Sequence, residues 1–520
     1  MEFNYTDMDV IKHLRYGWPL NYTKATLPHS DTKRNHKGAT EHMKFIDKWL
    51  DEEVSRGRIR GPFPAPPLPN FVVSPLNTVP KPDSEKRRVI VDLSWPHGHS
   101  VNDGIEVDTY LGKPSKLRYP TVDDICKLIR TLGRGCFIYK RDLKAAYRQF
   151  RVDPNDYNLL GYLWNGNFYY DTVLCMGQRT AAIGCQRSTK SVAFIHSSRG
   201  SPCVVYIDDF IGVSTPSNAK RDFTSLGELL FELGLEENVP KSCEPATRQT
   251  CLGVLYDTEK LTISVTPERL TDTRILLSAW TRKRKANRTE LQQLIGKLIF
   301  ISKCVRSSRV FVNRILRLLR TAISSNSNVT LTSDFKKDIA WWHKFLGMYN
   351  GVSIIPDITW SDTDATISTD ACLTGGGAVC HRLKQYFHFE FPDFILNQNL
   401  DIHHLELLTV LAAVRTWAYA ISAERIRIYC DNTASVYGIN SGRTQDDFVA
   451  GCLRELWLAC SLNDIEIRAE HVPGLQNRLP DWLSRWHLNN NVYKNLFLNN
   501  ISSTYSDMYF DVELLKFSCI

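Results

Sequence analysis

Apolar residues crowd the stretch Cys203-Val-Val-Tyr-Ile-Asp-Asp-Phe-Ile-Gly-Val213, break at Asp208-Asp209 and resume at once. The β-branched and aromatic content predicts two strands joined by a tight turn. Residues 157–171 alternate around Trp164-Asn-Gly-Asn-Phe168, a hairpin signal. A short apolar strand from Cys136 ends at Asp142, and good helix formers follow it through Phe150. Residues 174–192 turn at Gly177 and continue as a helix, and residues 223–234 read as an amphipathic helix with a Gly stop. Residues 42–54 have helical spacing, whereas the prolines of 61–69 suit an extended connector and neither a helix nor a central strand. A turn carrying Lys81, Lys86, Arg87 and Arg88 leads into the strand Val89-Ile-Val91. Leu252 and Gly253 read as the turn of a strand pair within 251–257.

From about Ile354 the pattern changes. Residues 365–379 read as strand, glycine turn, strand, with Asp370 closing the first. Residues 403–417 form a helix with Glu406 in its first turns, and Arg425 to Asp431 is a strand ending in Asp. Asp481 sits at a helix start, Asp123-Asp124 begins another helix, and Asp446-Asp447 lies in a polar loop. Residues 486–520 give no assignable pattern.

Composition narrows the class. At 520 residues with 43% hydrophobic content the chain is globular and holds two to four domains. It has no apolar run of about 18 residues, and its acidic, polar start does not suit a signal peptide. Fourteen cysteines with no C-x-x-C pair disfavour zinc and favour a reducing, intracellular setting, cytoplasmic or nuclear. Net charge is +8, but residues 269–320 hold fourteen Lys/Arg against Asp272 and Glu290, a net +12 that leaves −4 for the other 468 residues. Apolar residues at helical spacing interleave with these cations. They predict packed helices with one basic side, suited to a polyanion.

The carboxylates carry the candidate chemistry. Adjacent Asp208 and Asp209 between apolar strands repel each other and resist desolvation, at a cost of several kcal/mol per uncompensated ion. A divalent cation offsets that cost; the alternative is an ordinary turn dipeptide. Asp142 at a strand's end is either a helix cap or the third carboxylate of a metal site. Asp370, Glu406, Asp431 and Asp481 are each commonly caps, yet together they suit two divalent ions. His403-His404 lacks spaced Cys or His partners and suits packing and polar contacts.

Tyr206-Ile-Asp-Asp209 resembles the Tyr-X-Asp-Asp box of reverse transcriptases, and Asp142 with its surroundings resembles the first catalytic box of that palm. Lys81 and Arg88, seven residues apart, resemble the fingers pair that holds an incoming triphosphate. Tyr147 matches the bulky gate under the sugar. Gly177 and Gln178 fall in the box that lines the template and nucleotide pocket, with Cys175-Met176 where Pro-Gln or Pro-Phe is usual. Lys241 resembles a palm lysine near the nucleotide, and Leu252-Gly253 the primer-grip turn. Asp370, Glu406, Asp431 and Asp481 resemble, in order and setting, the ribonuclease H carboxylates. That match departs in one respect: the mobile His of many members is replaced by Gly474-Leu-Gln-Asn477, and His471 comes too early to substitute. The run Ser94-Trp-Pro-His-Gly-His-Ser-Val-Asn-Asp-Gly104 and the residues after Gly177 resemble DIRS-like (tyrosine-recombinase) retrotransposon polymerases.

The resemblance implies an α+β right-hand polymerase with fingers, ferredoxin-like palm and helical thumb, followed by an α/β ribonuclease H-like domain. The expected divisions are a leader at 1–70, fingers and palm at 71–262, a basic helical thumb at 263–353, a ribonuclease H-like domain at 354–487 and a tail at 488–520. It further implies RNA-directed DNA synthesis with cleavage of the hybrid's RNA strand. Each active site would use two Mg²⁺ or Mn²⁺ ions. The expected partners are RNA template, DNA primer, RNA–DNA hybrid and dNTPs, with no membrane. Two other readings remain: an inactive nucleic-acid-binding scaffold, and a pararetroviral polymerase of the same chemistry.

Overall fold

A computed structural model describes the chain except residues 1–5, 31–33, 81–86, 306–307, 309–310, 324–327, 356–362, 423–424, 443, 445, 464, 489–490 and 518–520. It divides into two compact units, Met1–Thr262 and Ile263–Ile520.

In the first unit, helix α1 (Met43–Ser55) precedes strand β1 (Ile59–Phe63), and the hairpin β2 (Leu76–Pro80) and β3 (Arg87–Val91) follows. Pro62 is accommodated because β1 is an edge strand, paired only with β6 (Asn167–Asp171), which pairs in turn with β5 (Gly161–Trp164). A second, antiparallel sheet has the order β9-β4-β8-β7, built from β4 (Phe137–Asp142), β7 (Cys203–Tyr206), β8 (Asp209–Ser214) and β9 (Cys243–Ala246). Helices α2 (Ala181–Ser198) and α3 (Ala219–Glu232) pack on β7 and β4. Ile138, Tyr139, Phe210, Ile211 and Val213 are buried in the two inner strands, each stabilising the sheet by about 1.5–3 kcal/mol. The hairpin β10 (Arg248–Cys251) and β11 (Val254–Asp257) closes the unit.

The helix expected after Asp142 is a single 3-10 turn, Ala146–Gln149. Tertiary ion pairs override local propensity there. Arg148 is drawn inward onto Glu53 of α1, at 2.8 Å, and onto the fully buried Asp171 at the end of β6. Burial pushes the Asp171 carboxyl up to about 6 against the pull of that guanidinium.

The second unit opens with helices α4 (Pro267–Arg282), α5 (Arg288–Ile301), α6 (Asn313–Ile323) and α7 (Ser333–Met348). Leu270, Leu277, Trp280, Leu291, Leu294, Leu298 and Ile301 pack inward, while Arg269, Arg282, Arg284, Lys285, Arg288 and Lys297 are exposed. A six-stranded sheet follows, in the order β16-β15-β12-β13-β14-β17. Its strands are β12 (Ala365–Ala371), β13 (Gly375–Cys380), β14 (Gln385–Glu390), β15 (Arg425–Cys430), β16 (Glu466–His471) and β17 (Ser506–Asp507). β12 to β14 are antiparallel, β15 runs parallel to β12, and β16 parallel to β15. Its helices are α8 (Ile402–Trp417), α9 (Thr433–Ser441), α10 (Asp447–Leu462), α11 (Arg478–Ser484) and α12 (Val492–Asn500). Asp446-Asp447, expected in a loop, begins α10: the Asp446 carboxylate accepts from the Val449 N–H at 2.8 Å. Gly377 in β13 is required by close approach, since a Cβ there would lie 2.3 Å from Cβ of Leu483 on α11.

The C-terminal residues, unassignable from sequence, fold onto this sheet. β17 extends it beside β14, Phe510 stacks on Phe387 and Phe389 at 4.8 and 4.3 Å, and Arg415 donates to the Leu514 and Lys516 carbonyls. Among the described residues no helix is long and apolar enough to cross a membrane.

Candidate active sites

Asp142 and Asp209 face each other in register across β4 and β8, and Asp208 occupies the two-residue turn between β7 and β8. That turn holds Ile207 at φ 57°, a left-handed conformation that costs a β-branched residue about 1–3 kcal/mol. Gln186 of α2 clamps it. Its Oε1 accepts from the Ile207 N–H at 2.6 Å and its Nε2 donates to the Val205 carbonyl at 2.9 Å, while the side chain is buried.

Cations are built in beside these carboxylates. Asp142 is 3% exposed, and its Oδ2 accepts from Lys241 Nζ at 3.0 Å and Asn238 Nδ2 at 3.3 Å. Lys140 Nζ lies 3.6 Å from Asp209. Burial lifts the Asp208 carboxyl above its usual range, with Asp142 adding to the lift; burial also lifts Asp209, against the pull of Lys140. The donors are hard oxygens that fit Mg²⁺ or Mn²⁺, but an ion reaching Asp142 Oδ2 must displace an ammonium.

The second group is arranged differently. Asp370 is the penultimate residue of β12, Glu406 lies in the second turn of α8, Asp431 follows β15 and Asp481 lies in α11. All four line one cleft of about 460 Å³ together with Cys372, Asn432 and Arg485. Ser484 Oγ donates to Asp370 at 2.7 Å, and the Ala371 N–H donates to Glu406 at 3.1 Å. Arg485 pairs with Asp481 at 2.8 Å. Burial and mutual repulsion with neighbouring carboxylates hold Asp370 and Glu406 well above the ordinary carboxyl range. Ligand atoms of Glu406, Cys430 and Asp431 lie within 4.8 Å of one another. The carboxylate set fits a hard divalent ion, and the adjacent Cys430 thiol donates to Glu406 at 3.7 Å.

Asp401, His403 and His404 also cluster within 4.8 Å. His404 is committed elsewhere: Nδ1 accepts from the Asp401 N–H at 3.1 Å, which makes Nε2–H the donor to Asp446, also at 3.1 Å. His471 lines a separate groove with Val436 and Tyr437, away from the four carboxylates.

No protein-family model matches the chain, and no curated protein matches it in sequence. Solved structures do. A foamy viral protease-reverse transcriptase dRH in complex with double-stranded DNA superposes with TM-score 0.53 at 15% identity, over 88% of this chain and 74% of that one. A foamy viral protease-reverse transcriptase in complex with double-stranded DNA gives 0.52 at 14% identity, over 88% and 87%. The fold is that of a reverse transcriptase.

On this reverse-transcriptase fold the remaining candidate residues divide. Tyr147 is half-buried and its hydroxyl is pushed up to about 12 by burial, with Asp208 among the contributing charges. Tyr206 is 39% exposed and packs on Tyr119 at 4.9 Å. Lys241 sits on Asp142, as described. Arg88 is exposed on β3 opposite Val79, whereas Lys81 lies outside the described residues. Gly177, at φ 110°, passes so close to β3 that a Cβ would lie 2.1 Å from the Val91 carbonyl. Gln178 turns inward, with its amide on Thr180 Oγ1 at 3.0 Å. Leu252 and Gly253, at φ 50° and 77°, make the tight turn between β10 and β11.

Sequence reasoning missed Gln186, Asn238 and Asn102. Asn102 is buried; its Nδ2 donates to the Gly177 carbonyl at 2.7 Å and its Oδ1 accepts from the Arg179 N–H at 2.9 Å, pinning that turn. A usable signal existed for Gln186 alone: it interrupts the buried stripe of α2 that Cys185, Thr189, Val192 and Ala193 define.

Proposed function

We propose that the chain is the RNA-directed DNA polymerase of a retroelement and also cleaves the RNA strand of RNA–DNA hybrids. The observation that carries the polymerase reading is the in-register Asp142–Asp209 pair with Asp208 at a clamped turn, on a reverse-transcriptase fold. Residues 71–262 would supply fingers and palm, and 263–353 the thumb. Exposed cations of α4 and α5 suit phosphate contacts, which are sequence-independent and salt-sensitive. Asp142, Asp208 and Asp209 would hold the metal, Arg88 and Lys81 would neutralise triphosphate, and Tyr147 would exclude a 2′-OH. Lys241, Tyr206, Gly177, Gln178 and the Leu252-Gly253 turn would border primer, template and nucleotide. Mg²⁺ or Mn²⁺ at these carboxylates would supply Lewis acidity and charge neutralisation, for primer 3′-OH activation in one centre and for water activation in the other.

The ribonuclease H reading, for 354–487, rests on four carboxylates from β12, α8, β15 and α11 sharing one cleft. The 2′-OH groups across a shallow minor groove would identify the RNA strand. The loop at Gly474 passes close to Asp431, where a Cβ would lie 3.3 Å from Oδ2. It brings no His, so product release would be slower. The Ser94–Gly104 run favours a DIRS-like element over a pararetrovirus. Thirteen free cysteines among the described residues suit a reducing, intracellular setting.

Primer extension on an RNA template with dNTPs and Mg²⁺, with the RNA strand labelled, tests both activities at once. Extension lost in Asp208→Asn/Asp209→Asn while cleavage persists is the expected result. A folded wild type that binds hybrid but neither extends nor cleaves would instead be a nucleic-acid-binding scaffold.

A further inference from the structure

The polymerase reading leaves the exposed indole of Trp95 unused. Among the described residues Trp95 is the only exposed tryptophan, with 44% of its surface open. It is held rather than loose. The rings of His36 and His97 each lie 6.0 Å from it, at 75° and 68° to the indole, so neither lies parallel to it. His36 is itself fixed, with Nε2 2.8 Å from Asp92 Oδ2. The two acids within residues 92–104 are taken up internally, Asp92 by His36 and Asp103 by the Ser100 hydroxyl and N–H.

The position of this indole is tied to the Gly177 turn. Asn102 Nδ2 is shared between Ser94 Oγ, at 2.8 Å, and the Gly177 carbonyl, at 2.7 Å. Ser94 directly precedes Trp95, so one buried amide fixes both the platform and the turn. A rigid aromatic presented this way binds a planar group at small entropic cost, and every nucleobase offers a π-face to such a ring.

We propose that Trp95 is a stacking platform for an unpaired base of single-stranded nucleic acid, held at the side of the Gly177 turn. The proposal rests on the polymerase reading for the identity of the ligand, but stacking requires no turnover. The test uses the full chain without dNTPs and two duplexes, one blunt and one with a 5′ overhang carrying 2-aminopurine at successive unpaired positions. Trp95→Ala should weaken overhang binding by about tenfold or more, remove the 2-aminopurine quenching, and leave blunt-duplex affinity unchanged within about twofold. Trp95→Phe, which keeps a ring, should retain most of both signals. It also serves if the alanine variant does not fold.

Equal losses on blunt and overhanging duplexes, or no loss on either, would overturn the proposal. So would wild-type sedimentation as a dimer that Trp95→Ala dissociates, because the indole would then be covered by a second copy. A chain that stacks the probe but never extends a primer refutes the polymerase reading and leaves the platform standing. Extension by a chain whose overhang affinity ignores Trp95 does the reverse.

Discussion

The two carboxylate groups solve one electrostatic problem in opposite ways. Around Asp142, Asp208 and Asp209 the chain supplies its own cations: Lys241 on Asp142 and Lys140 beside Asp209. Around Asp370, Glu406, Asp431 and Asp481 the cleft offers Arg485, paired with Asp481, so Asp370 and Glu406 depend on protons. The first group is compensated at Asp142 and in part at Asp209 when empty, and a metal reaching Asp142 exchanges with an ammonium. The second is uncompensated when empty and gains most from a metal. Similar ligand chemistry therefore implies different apo stability, different pH response and different competition for the ion.

The largest effect separates the two chemistries. Asp208→Asn/Asp209→Asn should reduce extension on the order of a thousandfold or more and leave hybrid cleavage within about twofold. Asp370→Asn should do the converse, both read from one doubly labelled hybrid. Parallel loss of both activities from either substitution would mean that the groups do not act separately.

Next in size is the clamp. Gln186→Ala leaves the Ile207 N–H and the Val205 carbonyl without their buried partner, at about 1–3 kcal/mol, and releases a turn whose left-handed Ile207 needs support. We expect extension to fall by about tenfold, with cleavage unchanged. Asp370 sits instead within a central strand buried at most positions, where Asn477 Nδ2 donates to the Thr369 carbonyl at 2.9 Å and the Ala371 N–H donates to Glu406, so the contrast tests turn geometry against strand geometry.

These contrasts also mark how far the sequence could be read. Asp208-Asp209 was legible because strand signals bracket it, and Asp370 and Asp431 because each closes an apolar strand. The compensating charges were not. Lys241 reaches Asp142 across 99 positions and Arg148 reaches Glu53 across 95, and local pattern carries no such information. The same Arg148 tie turned expected helix formers into a 3-10 turn. Asp446-Asp447 failed for another reason, since a polar loop and a helix N-cap share their local chemistry. The tail failed because β17 is two residues long and finds its partner about 120 positions away.

The third prediction concerns stability without metal. Asp370→Asn removes a buried, repelled carboxylate and keeps an acceptor for Ser484. It should stabilise the metal-free chain by about 1–2 kcal/mol, whereas Asp142→Asn should change it by less than about 1 kcal/mol because the lost partner, Lys241, is 66% exposed. The pH dependence follows from the raised values. Unfolded carboxyls release protons near pH 4, while folded Asp370 and Glu406 retain theirs to higher pH. The folded state therefore binds more protons above pH 4. Its stability falls as pH rises through the raised folded values, by about 1.4 kcal/mol per unit of separation. Thermal melts from pH 4 to 8 should show that decline, flattened by Asp370→Asn and reversed by Mg²⁺. A decline insensitive to both would place its source outside the cleft.

The smallest effect bears most directly on the ammonium. If Lys241 competes with a divalent ion for Asp142 Oδ2, then Lys241→Met removes the competitor and the repulsion it exerts. An exposed-to-buried pair of this kind is worth up to about 1 kcal/mol, so Mn²⁺ should bind the first group up to about fivefold more tightly. The titration is best made in an Asp370→Asn/Asp431→Asn background, so that only the first group reports. On the proposed polymerase reading extension should nevertheless fall, because the same ammonium would there serve a nucleotide phosphate. Tighter metal with slower synthesis would mean that the resident cation does two jobs, holding the empty site together and then serving the substrate. Unchanged Mn²⁺ affinity would mean that Lys241 leaves Asp142 without cost, and that the two groups differ less than their contacts suggest.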